Sequence, residues 1–242
     1  DSSIKLEEDS LSIRVTPDKD ARTLTISDNG TGMTADELEA NLGTIAHSGS
    51  EEFKAANAEH QGDDVDIIGQ FGVGFYSAFM VASKVRVVTR AAGEDVAHVW
   101  ESDGLEGYTI EDGERDHCGT DVILTLKEDV EGTDGAEGER YSSYLEEWEL
   151  KNLIKQYSNY VRHPIQMMVT KSRQKPKPED APEDYKPEYE DYTELETINS
   201  MTPIWKERGD VEQKDYGEFY KSTFHDWEDP ARTITFHAEG AL

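Results

Sequence analysis

A glycine-rich string, Gly69-Gln70-Phe71-Gly72-Val73-Gly74-Phe75, constrains the fold of this chain more than any other feature. Apolar residues then recur at helical spacing (Phe75, Ala78, Phe79, Ala82), so we predict that the string opens a helix. The first turn of a helix has free N–H groups and a positive dipole end, which suit a phosphate. The string is not a Walker loop, because no Gly-Lys-Ser/Thr follows, and its Gly-x-x-Gly-x-Gly spacing is not the dinucleotide fingerprint. An alternative stays open, in which the glycines only allow close helix packing.

Alternating apolar and polar residues predict strands around this string. Residues 11–16 and 23–27 form a predicted β-hairpin, with Pro17-Asp18-Lys19-Asp20 as its turn. Further strands are predicted at 84–90, 96–101, 107–111, 120–126 and 165–170. The chain therefore combines strands with helices.

Two capping boxes predict where helices begin. Thr34 with Glu37 precedes Leu38, Leu42 and Ile45, which fall on one helical face. Ser143 with Glu146 lies within an amphipathic pattern that runs from Tyr141 to Val161. We expect this second helix to have about four turns, and His163-Pro164 to stop it.

The charge balance excludes several classes of protein. The 242 residues include 24 Lys and Arg against 53 Asp and Glu, a formal charge of −29, which disfavours binding to nucleic acid or to an anionic membrane. No apolar run is long enough to span a bilayer, and no signal peptide is visible.

A single cysteine, Cys118, fits a reducing cytosol and is interpreted as a packing residue. The first residue is not Met, so the chain is interpreted as a fragment.

Composition also divides the chain. The polar residues 43–66 are interpreted as a mobile surface segment, and the acidic, Gly-rich residues 129–139 as a loop. Residues 171–196 contain four of the eight prolines and few aliphatic side chains, so we predict a charged linker that cannot fold alone. The aromatic residues of 197–242 indicate the opening of a second domain.

Asp28 is the main candidate for ligand binding. It continues the period of Leu24 and Ile26, so its carboxylate points to the buried face and needs a donor. The following Asn29-Gly30-Thr31-Gly32 lets the backbone turn and approach a ligand, such as an adenine whose amino group donates to Asp28. The alternative is an ordinary strand-to-helix turn with an exposed Asp. Thr120 is a weaker candidate that could help to hold the base through a water.

Three motifs together resemble the ninety-kilodalton heat-shock (Hsp90) chaperones. They are 28–33 (Asp-Asn-Gly-Thr-Gly-Met), 41–46 (Asn-Leu-Gly-Thr-Ile-Ala) and 68–78 around the glycine string, in that family's order and spacing. Pro203-Ile204-Trp205 and residues 216–229 resemble the start of the family's middle domain. The short linker makes the chain more similar to the bacterial high-temperature protein G type.

The resemblance implies an α+β fold of the GHKL (Bergerat) ATPase type, a two-layer α/β sandwich with a mixed, mainly antiparallel sheet under helices. It implies a nucleotide-binding domain over 1–170, incomplete at its start, a charged linker over 171–196, and the truncated beginning of a client-binding middle α/β domain over 197–242. Residues 43–70 would form a lid that closes over ATP.

The resemblance also assigns a nucleotide site. Asp28 would take the adenine amino group, supported by Thr120, while Gly32 and Met33 would line the base. Asn41 would lie near the sugar and phosphates, and backbone N–H groups of residues 72–75 would wrap the phosphates. His47 stands where the family usually has Lys or Arg, which weakens its assignment to a phosphate. The implied nucleotide-binding set is Asp28, Gly32, Met33, Asn41, Leu42, His47, Gly72, Val73, Gly74, Phe75 and Thr120.

The implied function is that of an ATP-dependent, homodimeric chaperone of the cytoplasm, with ATP and Mg²⁺ as cofactors. Its partners would be unfolded client proteins, and neither nucleic acid nor a membrane. The family's general-base Glu and Mg²⁺-binding Asn would precede residue 1, and its phosphate-contacting Arg would follow residue 242. We therefore expect these 242 residues alone to hydrolyse little or no ATP. The alternatives are a DNA-acting ATPase of the gyrase or MutL type, and a non-catalytic interaction module.

Overall fold

Eight strands form one mixed sheet in the part of the chain that the computed structural model describes, which is residues 11–43, 74–105, 107–132, 138–176, 187–206, 211–224 and 226–234. The strands are β1 (Ile13–Asp18), β2 (Thr23–Asp28), β3 (Ala82–Arg90), β4 (Ala97–Ser102), β5 (Tyr108–Gly113), β6 (Gly119–Leu126), β7 (Ile165–Gln174) and β8 (Tyr189–Thr197). Their order across the sheet is β5-β4-β3-β6-β2-β1-β7-β8. Neighbours run antiparallel, except for the parallel pair of β1 and β7.

The described helices are α1 (Ala35–Leu42), α2 (Ala78–Val81), α3 (Glu147–Tyr157) and α4 (Gln213–Phe224). Short 3₁₀ helices occur at Phe75–Ser77, Tyr141–Leu145 and Ile204–Lys206. The α+β class with a mixed, mainly antiparallel sheet is therefore confirmed. The predicted strands are confirmed too, with ends that shift by a few residues.

One face of the sheet, here called the inner face, packs against α1 and α3. Successive side chains of a strand alternate between faces, so Leu24, Val87 and Leu124 lie on the inner face together. Leu38 of α1 and Ile154 of α3 belong to the same apolar core. Leu38 is fully buried, and burying one such side chain contributes about 1.5–3 kcal/mol. The helices are thus held to the sheet by apolar burial.

The capping box of α1 is confirmed. The Glu37 backbone N–H donates to Thr34 Oγ1 at 3.2 Å, and the Thr34 N–H donates to the Glu37 carboxylate at 2.9 Å. The cap begins α1 directly after the Asp28–Met33 turn. The cap therefore fixes the position at which α1 starts after the end of β2.

The predicted turn at 17–20 is wrong, because β1 continues through Pro17 and Asp18 and the chain reverses at residues 19–22. Pro17 is tolerated there because β7 pairs with β1 only at residues 13–15. The missing N–H of Pro17 therefore costs no ladder bond on that side.

The predicted helix over 75–82 is also partly wrong. It consists of one 3₁₀ turn and the four residues of α2, and Ala82 already belongs to β3. Ala82 is buried opposite Leu126 of β6, and the β-branched residues Val85, Val87 and Val88 favour a strand.

The second predicted capping box does not form. Ser143 lies inside a 3₁₀ helix, where its hydroxyl donates to the Arg140 carbonyl at 2.7 Å. Helix α3 begins at Glu147 and its 11 residues make about three turns, not four. It ends at Tyr157, before His163-Pro164, with the Ser158 N–H donating to the Ile154 carbonyl.

The prediction of an unfolded linker over 171–196 is wrong for the residues described there. β7 runs to Gln174, and β8 pairs with it from Gln166↔Thr197 to Gln174↔Tyr189. Opposite charges bridge the two strands in the pairs Lys171–Glu194, Arg173–Glu190 and Lys175–Glu188. Cross-strand ion pairs of this kind offset the scarcity of aliphatic side chains. Pro178 and Pro182 lie outside the described residues.

Asn199 fastens the end of this hairpin to the rest of the sheet. It is 6% exposed, and its Oδ1 accepts from the Ile165 N–H at 2.7 Å. Its Nδ2 donates to the carbonyls of Val161 and His163 at 2.9 and 3.1 Å. A side chain beyond the predicted linker thus holds the start of β7.

We expect Asn199→Ala to lower the free energy of unfolding by about 2–3 kcal/mol, because it leaves a buried N–H and two carbonyls without partners. Urea unfolding measures the change. The matched control is Asn152→Ala on the exposed side of α3, which should change stability little. Equal effects of the two substitutions would contradict the role of Asn199.

A second prediction concerns acid stability. Hydrogen bonds from the Ser142 hydroxyl and backbone N–H, helped by Arg22, lower the pKa of Asp129 to about 2. A lowered pKa in the folded state stabilises the fold above the unfolded pKa of about 3.9, and this contribution is lost as pH falls towards 2. Asp129→Asn should therefore destabilise the chain more at pH 5 than at pH 2.5. Denaturant unfolding at both pH values measures the loss of stability, and Asp116→Asn, at an exposed position, is the control. An equal loss of stability at pH 5 and pH 2.5 in Asp129→Asn would contradict the account.

Candidate functional site

Three polar side chains form a row across the inner face of the sheet. Asp28 of β2 lies opposite Thr120 of β6, and Thr120 lies opposite Thr89 of β3. They occupy the register next to the apolar row of Ile26, Val122 and Val87. The polar row therefore begins where the apolar core ends.

The turn after β2 holds the Asp28 carboxylate in place. The Gly30 N–H donates to Asp28 Oδ1 at 2.8 Å, and Asn29 Oδ1 accepts from the Ser12 N–H at 2.7 Å. Asp28 itself is half-buried. The predicted direction of Asp28, towards the inner face, agrees with this position.

Thr89 was missed by the sequence reasoning. It is fully buried, and its Oγ1 lies 2.9 Å from the Met33 N, 3.1 Å from the Gly119 carbonyl oxygen and 3.0 Å from Thr120 Oγ1. One signal could have found it. Thr89 ends the alternation of Val85 and Val87 on the core face, as Asp28 ends that of Leu24 and Ile26.

Two glycines let backbone segments meet beside this row. Gly32 has φ +66°, and a Cβ there would lie 1.9 Å from the Arg90 carbonyl oxygen. Gly119 has φ +119°, and a Cβ there would lie 2.2 Å from the Asp28 carbonyl oxygen. Any larger residue would push the Asp28 turn away from β3 and β6.

Arg115 braces the same turn. Its Nη2 donates to the Asp28 carbonyl at 2.9 Å, and Nη2 and Nε donate to the Asp121 carboxylate at 3.0 and 3.1 Å. Its Nη1 donates to the carbonyls of His117 and Cys118, both at 2.6 Å. The bidentate pair with Asp121 ties the β5–β6 loop to β6, and the bond to the Asp28 carbonyl ties the same loop to the end of β2.

The predicted residues of the first helix region lie at different depths. Met33 is half-buried against the core, and its Sδ lies 3.8 Å from Asn41 Nδ2. Leu42 packs into the core, and its carbonyl accepts from the Tyr76 hydroxyl at 2.8 Å. The Leu42 carbonyl thus links the end of α1 to Tyr76, just beyond the glycine string.

Of the glycine string, the described residues begin at Gly74. The Phe75 ring contacts Trp100 edge-on, with centroids 5.4 Å apart, on the inner face of the sheet. Phe75 therefore lies over the face that carries the polar row. His47, Gly72 and Val73 lie outside the described residues, as does most of the predicted lid.

The described residues contain no group of three or more His, Cys, Asp and Glu side chains that could hold a metal ion. We therefore assign no Mg²⁺ ligand among them. In the same part of the chain, no helix is long and apolar enough to cross a membrane.

The row can accept hydrogen bonds from a ligand that reaches the inner face. The Asp28 carboxylate is an acceptor, and Thr120 places a hydroxyl beside it. Gly32 and Gly119 let the Asp28–Met33 turn pack directly against β3 and β6, which fixes the position of this acceptor pair. Such an arrangement suits the amino group of a flat, partly buried base, which fits the adenine of a nucleotide.

Comparisons with known proteins agree with this chemistry. A family model described as histidine kinase-, DNA gyrase B-, and HSP90-like ATPase matches residues 1–120, and the Hsp90 protein model matches residues 175–242. Chaperone protein HtpG of Clostridium acetobutylicum is 46% identical over the whole of this chain and 36% of its own length. The HtpG proteins of Natranaerobius thermophilus and of Clostridium botulinum strain Hall are 46% and 47% identical, also over the whole chain.

The chain spans just over a third of the length of these relatives. The two family models lie in the order that the motifs predict, and the similarity to HtpG proteins extends over all 242 residues. The chain therefore belongs to the Hsp90 family of chaperones and is of the HtpG type.

Proposed function

We propose that this chain contains the ATP-binding part of an ATP-dependent molecular chaperone. The observation that carries the proposal is the row of Asp28, Thr120 and Thr89 at the edge of the core, beside a turn that two glycines let pack directly against β3 and β6. An acceptor row on a half-buried face suits an adenine amino group. The match to an ATPase family model over residues 1–120 supports the same ligand.

Different residues would contact the base and the sugar-phosphate part of the nucleotide. Asp28 would accept from the adenine amino group, with Thr120 beside it, and Gly32 and Met33 would line the base. The sugar and phosphates would lie towards the end of α1 and the glycine string. The residues proposed there are Asn41, Leu42, His47, Gly72, Val73, Gly74 and Phe75.

ATP supplies the phosphoryl group whose hydrolysis would drive the chaperone cycle. The part of this chain is to bind the nucleotide and to orient its base. We propose that Mg²⁺ accompanies the bound ATP. Binding would bias a homodimer between open and closed states and so assist the folding of client proteins in the cytoplasm.

The division of the chain also enters as a proposal. We assign residues 1–170 to the nucleotide-binding domain and 197–242 to the beginning of the client-binding middle domain. The β7–β8 hairpin changes how residues 171–196 connect the two, because its described part continues the sheet of the first. The connection would therefore be stiffer than a charged linker.

Two alternative functions explain the observations less well. A DNA-acting ATPase of the gyrase or MutL type conflicts with the formal charge of −29, since a phosphate backbone would repel the chain. A non-catalytic module, in which the glycines serve packing only, leaves unexplained why a carboxylate and two threonine hydroxyls form a row at the edge of the apolar core.

We expect Asp28→Asn to weaken ADP binding by about ten- to a hundredfold. The asparagine oxygen can still accept from the Gly30 N–H, so the turn survives, but the charged hydrogen bond to the ligand is lost. Such bonds contribute about 1.5–3 kcal/mol. Isothermal titration calorimetry of the 242-residue chain with ADP measures the change.

Asp20→Asn is the matched control, because it removes the same charge from the exposed β1–β2 turn. It should leave ADP affinity unchanged. Affinity that is the same in the parent chain and in Asp28→Asn would remove Asp28 from the proposed site. A parent chain that binds no ADP would contradict the proposed function.

A further inference from the structure

We propose that Thr89, which contacts no ligand itself, makes Thr120 a hydrogen-bond acceptor and thereby helps the site to select 6-amino purines over 6-oxo purines. Thr89 would be a specificity-determining positioning residue. The selectivity rests on the proposed nucleotide site, whereas the direction of the hydroxyl protons follows from the hydrogen bonds of the chain alone.

The argument begins with the single proton of the Thr89 hydroxyl. A threonine hydroxyl can donate one hydrogen bond and accept two. The Met33 backbone N–H, at 2.9 Å, can only donate, so Thr89 accepts there. The Gly119 carbonyl, at 3.1 Å, can only accept, so Thr89 donates its proton there.

The third contact of Thr89 then has only one consistent direction. Thr120 Oγ1 lies 3.0 Å from Thr89 Oγ1, and Thr89 has no second proton to give. With the Thr89 proton on the Gly119 carbonyl, Thr120 is the donor to Thr89 in the proposed arrangement. All three hydrogen-bonding capacities of the fully buried Thr89 hydroxyl are then filled.

The consequence appears on the open side of Thr120. Its proton points towards Thr89, so only lone pairs remain for a ligand or a bridging water. Asp28, opposite Thr120 in the ladder, offers a carboxylate that also accepts. Two neighbouring acceptors favour a group with two N–H donors.

This pattern distinguishes the two classes of purine. A 6-amino purine presents an NH₂ group to the row, whereas a 6-oxo purine presents a carbonyl oxygen whose lone pairs oppose both acceptors. Asp28 supplies the charged part of this discrimination. Thr89 adds to it by preventing Thr120 from turning its proton towards the carbonyl oxygen.

Neutron diffraction of the deuterated parent chain tests the proton directions without any ligand. We expect the Thr89 deuteron to point to the Gly119 carbonyl and the Thr120 deuteron to point to Thr89 Oγ1. A Thr120 deuteron that points away from Thr89 would overturn the inference, whether or not the chain binds nucleotide.

Calorimetry with ADP and IDP tests the selectivity. In Thr89→Val the proton of Thr120 loses its acceptor and can turn to the ligand, so the ratio of ADP to IDP affinity should fall by about three- to tenfold. Thr89→Ser keeps the hydroxyl and should retain the parent ratio. A purely structural role would weaken both nucleotides equally and leave the ratio unchanged.

The control is Thr25→Val on the outer face of β2, which should not alter the ratio. If the parent chain binds nucleotide but Thr89→Val leaves the ratio of ADP to IDP affinity unchanged, the proposed role of Thr89 is overturned and the proposed function is not. A parent chain that binds neither nucleotide overturns the proposed function and the selectivity with it. If Thr89→Val does not fold, the neutron result decides the proton direction.

Discussion

The antiparallel pairing of β2 with β6 is the constraint on which the site depends. Its register places Asp28 opposite Thr120, and the next pairing places Thr120 opposite Thr89. A shift of one residue would turn Asp28 to the outer face and expose Leu24. The same register that buries the core thus presents the polar row, so the pairing that stabilises the sheet also positions the residues of the proposed site.

The Asp28 turn is held from three directions. Gly119 allows β6 to approach the Asp28 carbonyl, Gly32 allows the turn to approach β3, and Arg115 donates to the Asp28 carbonyl. The capping box at Thr34 then starts α1 beside the turn. Pre-organisation of this kind lowers the cost of ordering side chains when a ligand binds.

Sequence patterns predicted those features of the fold and the site that depend on residues close together in the chain. Asp28 continues the period of its strand, and the Thr34–Glu37 box is a local signal, so both were predictable. Thr89 was not, because its role depends on the register of three strands. The β7–β8 hairpin was missed because backbone pairing along the β7 strand, helped by cross-strand ion pairs, forms a strand from residues whose composition is typical of a linker. The Ser143 box failed because a 3₁₀ turn competed for the same hydroxyl.

A crystal structure of the chain with bound ADP tests the central claim most directly. The account predicts that the exocyclic nitrogen of the adenine lies within hydrogen-bond distance of the Asp28 carboxylate, with Thr120 on the same side of the base. A nucleotide bound elsewhere, or one whose amino group points away from β2 and β6, would contradict it.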